Sequence, residues 1–176
     1  MILAFKTFWG KEMGTLSGTA TYFEEKIWTG LIPAMEEEEY LKKYRSYCLD
    51  SLERLGVLSP VNDDAMTVPK VHTIRRDSNM RWAVGKKIHF YKNVRQADMF
   101  KFAPMLRVRS IQEIEIIHSG ESWRMPWVII DGVIQESAEI EILARNDGFP
   151  SVKAFFQWFN ENFTGKIIHW THLKYT

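Results

Sequence analysis

The sequence predicts an α+β fold: a small, curved, barrel-like mixed sheet with flanking helices. Three observations point there. From Pro69 onward apolar residues alternate with polar ones over 71–75, 87–92, 106–117 and 127–134, with turn residues between the runs. A strand-like alternation also opens the chain at 2–8, and a last strand closes it at 166–170. Segments of helical periodicity lie near both ends, the arrangement of a segregated α+β domain.

The elements follow in order. Gly10, Gly14 and Gly18 mark a loop after the first strand. Thr21, with Glu24 three residues on, forms a capping box for a short helix that turns Phe23 and Ile27 inward, with Gly30 as its C-terminal cap and Pro33 beyond. Acids at 36–39, the spacing of Leu41, Tyr44, Cys48, Leu52 and Leu55, and a stop at Gly56 predict a helix over 35–55. Residues 58–69, with Pro60, Asn62, Asp63, Asp64 and Pro69, read as a loop. Asp131-Gly132 marks a tight hairpin turn or a bulge within 127–134. Ser137 caps a helix through Ala144, with Ile140, Leu143 and Ala144 inward. Ser151 caps another, with Val152, Phe155, Phe156 and Phe159 on one stripe.

Composition bounds the function. The 176 residues, 45% hydrophobic and 26% charged, supply one core, so residues 1–176 are read as a single domain. No apolar run approaches the roughly 20 residues of a membrane helix, and no membrane partner is expected. No secretion signal follows Met1, and the lone Cys48 can form neither an internal disulfide nor a multi-cysteine zinc site. A reducing cytoplasm is the expected location. Lys plus Arg number 23 against 22 Asp plus Glu, which excludes a uniformly basic chain.

Position along the chain tells more than the total. Residues 1–69 carry seven basic and eleven acidic side chains, whereas 70–109 carry eleven basic ones against Asp77 and Asp98, a net +9. His72, Trp82, His89, Phe90 and Tyr91 are interleaved with these cations. Such a block suits a phosphate-bearing partner whose bases stack; the alternative is a solvated sheet face neutralised by the acidic flanks.

Lys70-Val71-His72-Thr73-Ile74-Arg75, with Ile27-Trp28-Thr29-Gly30 before it and Arg81, Gly85, Lys86 and Ile88-His89-Phe90 after it, resembles the ASCH domain of the PUA-like superfamily. Ser110-Ile111-Gln112-Glu113-Ile114, Ile130-Asp131-Gly132, Leu143-Ala144-Arg145-Asn146-Asp147-Gly148-Phe149 and Gly165-Lys166-Ile167-Ile168-His169-Trp170 continue the likeness. It covers the N-terminal segment and nearly all of 68–176, which leaves residues 34–67 as a helical insertion. The resemblance implies a PUA-like small β-barrel with a cleft for RNA or a modified nucleobase. One branch of the family consists of amidohydrolases that deacetylate N(4)-acetylcytidine with a Lys, a Thr three residues later and a distant Glu. Lys70 and Thr73 fall on the first two positions. The third aligns with Asp147, one methylene shorter than the family Glu.

The chemistry is consistent with those residue types. Amide hydrolysis needs an activated nucleophile, a base and oxyanion stabilisation. Thr73 could attack, a desolvated Lys70 could take its proton, and Asp147 could orient either group or protonate the leaving amine. On a regular strand positions three apart face opposite ways, so Lys70 and Thr73 converge only if the chain bends near Pro69. Their alternative roles are ordinary strand and turn residues.

For ligand binding the candidates are Arg75 and Arg76, whose forks suit phosphate, with His72, Arg81, Lys86, Arg95 and Trp127. A salt bridge from Arg75 to Glu113 or Glu115 is the structural alternative. Trp123 and Trp127 could wall a base pocket or simply pack. His169 and His172 lack the further ligands of a metal site, and Gly10, Gly14 and Gly18 lack a following Lys-Ser/Thr, so neither metal nor cofactor is expected. Three functions follow in order: RNA, nucleobase or nucleoside binding through the cleft; deacylation of an N-acylated pyrimidine nucleoside; and capture of a protein partner by the acidic insertion.

Overall fold

The computed structural model describes residues 1–56, 68–120 and 125–176. In chain order its strands are β1 (Ile2–Phe5), β2 (His72–Arg75), β3 (Lys87–Lys92), β4 (Phe100–Lys101), β5 (Leu106–Arg107), β6 (Ser110–Ile117), β7 (Trp127–Ile130), β8 (Val133–Ile134) and β9 (Phe163–His169). The helices are α1 (Phe23–Leu31), α2 (Glu37–Leu55), α3 (Ser137–Asn146) and α4 (Val152–Trp158), with short 3-10 turns at Lys11–Leu16 and Ile32–Ala34. The predicted loop at 58–69 and Trp123 fall largely or wholly outside the described residues.

The architecture is α+β with two sheets. In the first, β1 runs parallel to β3, while β4 and β5 pair antiparallel with opposite ends of β3. The second is antiparallel, in the order β2-β9-β6-β7-β8. The expected barrel does not close among the described residues. Its predicted long strand over 106–117 is divided by a crossing: Val108 N–H bonds Lys86 O at 2.9 Å, and Arg109 N–H bonds His169 O at 2.8 Å. Two residues therefore carry the chain from one sheet to the other. Where β1 and β2 would complete a barrel there is no ladder, and Arg75 Nη2 instead donates to Ala4 O at 2.9 Å.

The core lies between the sheets and under the helices. Phe5 and Phe90 stack at 5.9 Å, and Phe90 meets Trp170 edge-on at 5.1 Å, joining β3 to the segment that follows β9. Alternation along β6 buries Gln112, Ile114 and Ile116 and exposes Glu113, Glu115 and Ile117, as one buried face requires. Trp9, Phe23, Phe149, Phe155 and Phe159 form a second aromatic group that seats α4.

Asp131 and Gly132 have φ of 48° and 84°, the paired positive angles of a tight hairpin turn rather than a bulge. Ser151 caps α4 by accepting the Ala154 N–H at 3.1 Å, whereas Ser137 lies inside α3, behind Glu136. Thr21 does not close a capping box; its hydroxyl donates to Lys6 O at 2.7 Å and ties the entry of α1 to β1. Gly30 is no cap either. It sits within α1 because a Cβ there would lie 2.6 Å from Lys70 O. Helix α2 turns its tyrosines inward in place of Leu41 and Leu52: Trp28 contacts the rings of Tyr40, Tyr44 and Tyr47 at 5.1–5.7 Å. The larger rings win the interface, and Leu41, Leu49 and Leu52 remain exposed.

Candidate functional site

The approach to β2 is set by two backbone bonds. Lys70 N–H donates to Lys26 O and Val71 N–H to Asn146 O, both at 2.9 Å, so the chain is strapped to α1 and to the end of α3 before the strand begins at His72. Regular alternation therefore does not govern Lys70. Its side chain turns inward, and Nζ donates to both the main-chain oxygen and Oδ1 of Asp147. Lys70 is 2% and Asp147 3% exposed.

Aromatic rings complete the surroundings of this pair. Lys70 Nζ lies 4.8 Å from the Phe23 centroid and 5.8 Å from that of Phe5, and the Arg75 guanidinium is 5.3 Å from the same Phe5 ring. Burial pushes the Lys70 ammonium down to about 8, against the pull of Asp147. Burial likewise pushes the Asp147 carboxyl up, opposed by Lys70, Arg75 and the Ile74 N–H. Nearby, Lys26 donates to Gly148 O at 2.8 Å, and burial followed by repulsion from Lys70 brings it to about 8 as well. Gly148 has φ of 85°, and a Cβ would press on Phe23 and the Lys70 stem at 3.1–3.2 Å. The Asp147-Gly148 turn thus follows from both conformation and space.

Thr73 is 3% exposed on β2, opposite Ile168, and shares a strand face with Arg75. No hydrogen bond joins it to Lys70 or Asp147 among the described residues. Arg75 closes the seam to β1 and does not take the alternative bridge to Glu113, which pairs with Lys166 instead.

His72, expected to touch ligand, is fully buried on the opposite face. Its Nε2 is 2.7 Å from the Tyr175 hydroxyl and its Nδ1 is 3.8 Å from Asp147 Oδ1. Burial, then His169 and Lys70, hold its pKa well below the imidazole range, so it is a neutral packing residue. Tyr175 also accepts from Asn146 Nδ2 at 3.0 Å and exchanges 2.8 Å bonds between its backbone and the Gln112 side chain. Gln112 and Tyr175 support the site from behind, and no local motif announces a contact over 63 positions.

The remaining candidates are dispersed. Arg76 is exposed beside the Phe163 ring at 5.4 Å. Arg81 and Lys86 are exposed neighbours, with Lys86 Nζ donating to Arg81 O. Arg95 is exposed on a turn with φ of 70°. Trp127 lies three strand positions from β2, roughly 14 Å across the sheet, and walls no pocket at Lys70.

A cavity of about 180 Å³ has Phe5, Phe23 and Phe102 in its lining, with Lys6, Glu24, Glu25 and Lys92 among its charged residues. Glu24 pairs with Lys92 at 2.7 Å and accepts from the Tyr47 hydroxyl, which brings α2 to its edge. Of the eleven basic residues in 70–109, only Lys70 and Lys92 have an ion-pair partner among the described residues. Among the described residues the acidic flanks make no ion pair with the other nine, of which eight are exposed and the ninth, Arg75, is committed to the seam with β1.

No family model matches the chain, and no curated protein or solved structure matches it. Among the described residues, no group of three or more His, Cys, Asp or Glu side chains is placed to hold a metal. Nor is any helix long and apolar enough to cross a membrane.

Proposed function

We propose that the chain binds RNA or a modified nucleobase, with an ASCH-type, PUA-like arrangement presenting the cavity at Phe5 and Phe23 to the base. The carrying observation is the set of eight exposed basic residues of 70–109 that have no ion-pair partner among the described residues, Arg75 being committed to the seam with β1. Exposed cations gain little stability from surface ion pairs, whereas a polyanion engages several of them at once and releases its condensed counterions. The aromatic floor and charged rim of the cavity suit a flat ring with polar edges.

A second reading is hydrolytic and rests on the Lys70–Asp147 contact. An amine lowered to about 8 is partly neutral at physiological pH and can accept a proton from Thr73 as the hydroxyl attacks an amide carbonyl. All three residues are buried, so a substrate would reach them through a displacement of Phe5 or Phe23. The accessible geometry favours binding.

One experiment separates the two. The protein is dialysed against cytidine and N(4)-acetylcytidine, and the nucleosides are then analysed by chromatography. Retention of intact nucleoside supports binding. Acetyl loss that disappears in both Lys70→Ala and Thr73→Ala supports hydrolysis, and turnover surviving in both variants refutes that mechanism.

A further inference from the structure

The outer face of the first sheet is separate from the cavity. Ile88 and Phe90 are buried, so Lys87, His89 and Tyr91 point the other way along β3. Their cross-strand neighbours extend the same surface. Arg107 stands directly opposite Lys87, Lys101 opposite Tyr91, and Ile2 and Ala4 opposite His89 and Tyr91. Lys87, Lys101, Arg107, Ile2 and Ala4 are exposed, and the two rings are half-exposed.

Two features of this face run against folding stability. Like charges directly opposed in an antiparallel ladder repel, yet Lys87 faces Arg107 with no carboxylate paired to either among the described residues. The side-chain charges that bear on His89 are the cations Lys101 and Lys87. The hydroxyl-bearing ring of Tyr91 and the imidazole of His89 lie two residues apart on one side, roughly 7 Å along the strand. A sheet surface with ring faces in a row and cations on both flanks matches the requirements of single-stranded nucleic acid, in which unpaired bases stack and phosphates need neutralising. A duplex conceals its base faces and cannot use the rings.

We infer that the outer face of β3, with Lys101 and Arg107 beside it, is a track for single-stranded RNA, bases over His89 and Tyr91 and phosphates at Lys87, Lys101 and Arg107. This rests on the nucleic-acid reading above but places the polymer on a surface apart from the nucleoside cavity. All five residues lie on the strands themselves, so the track is formed before the ligand arrives.

The test is fluorescence anisotropy with labelled oligouridine of about ten nucleotides, within the ~4–16 that a single-stranded site occupies. It is run on the wild type, on Tyr91→Ala and on the double variant Lys87→Ala/Arg107→Ala, with cytidine binding measured in parallel. Truncating Tyr91 is expected to weaken oligouridine at least about fivefold, the lower end for one lost base stack. The double variant is expected to reduce the dependence of log K on log salt by about 1.4, at roughly 0.7 per phosphate contact. Both variants should stay folded, the double variant at or above the wild-type unfolding midpoint because the repulsion across the ladder is gone, and both should retain the cytidine affinity of the wild type. Oligouridine affinity unchanged in both variants, or equal binding of a duplex of the same length, overturns the track while leaving the cavity reading intact. Loss of cytidine binding from the wild type with the oligouridine effects preserved overturns the cavity and retains the track.

Discussion

Removing one member of the Lys70–Asp147 pair leaves the other charge in a site that is at most 3% exposed. Two unit charges 4 Å apart interact by about 4 kcal/mol at an effective dielectric of 20, and here Nζ touches Oδ1 directly. Measured losses on breaking buried pairs, about 3–5 kcal/mol, agree with that figure. Lys70→Met and Asp147→Asn should therefore each lower the urea unfolding free energy by about 3–5 kcal/mol at pH 7. The double variant removes both charges of the contact, while Arg75 loses the Asp147 carboxylate but keeps its bond to Ala4 O, so the double variant's loss should fall well short of the sum of the singles. The cost of Asp147→Asn should also shrink as pH rises. The folded-state pKa of Lys70, about 8 even with Asp147 present, lies below its ordinary 10.5. In that window the unfolded chain binds more protons, and stability rises with pH. Urea melts of the four proteins at pH 7 and pH 9 provide the measurement. Additive single losses, or a cost independent of pH, would refute the view of a closed pair whose charges are needed together.

Three further outcomes follow from the same interior. His169 is fully buried and held down to about 4 by burial, so as pH falls below 6.5 the unfolded state takes up a proton that the folded state refuses. Stability should fall by about 2 kcal/mol between pH 7.5 and pH 5 from this group alone, and His169→Gln should flatten the profile measured by urea melts. Gly148→Ala places a Cβ at φ 85° against Phe23 and Lys70 and should cost about 2 kcal/mol by the same assay; a neutral result would contradict the packing of that turn. Removing Tyr175 and Thr176 abolishes four hydrogen bonds to His72, Asn146 and Gln112 and should cost about 2–4 kcal/mol in denaturant midpoint measurements, with β2 becoming less protected in hydrogen exchange.

Much of the fold was legible because its signals are local. The alternation in β3 and β6, the Asp131-Gly132 turn, the Ser151 cap and the Gly56 stop each act within a few residues. The errors arose where distant contacts override local preference. Gly30 resembles a cap, but it is required by the nearness of the Lys70 carbonyl. The strand over 106–117 reads as continuous, but its middle is committed to two different sheets through Lys86 and His169. On α2, Tyr44, Cys48 and Leu55 of the expected stripe do face the core, but Leu41 and Leu52 are exposed and Tyr40 and Tyr47 take the places against Trp28.

The site divides in the same way. The encounter of Lys70 with Asp147 was expected and is observed, across 77 positions. The inward turn of His72 toward Tyr175 was not, because a histidine in a basic strand gives no sign of which face is covered. Charge placement was the most transferable signal, since exposed Lys and Arg side chains remain near the segment that carries them.

The central claim is the proposal that the exposed cations of residues 70–109, which have no ion-pair partner among the described residues, engage a polyanion. Its most direct test is the affinity for a short single-stranded RNA measured between about 50 and about 200 mM salt. With three phosphates engaged, a slope near 0.7 per contact predicts roughly a 20-fold loss of affinity over that range. Affinity that does not change with salt, or no binding at the lower concentration, would contradict it.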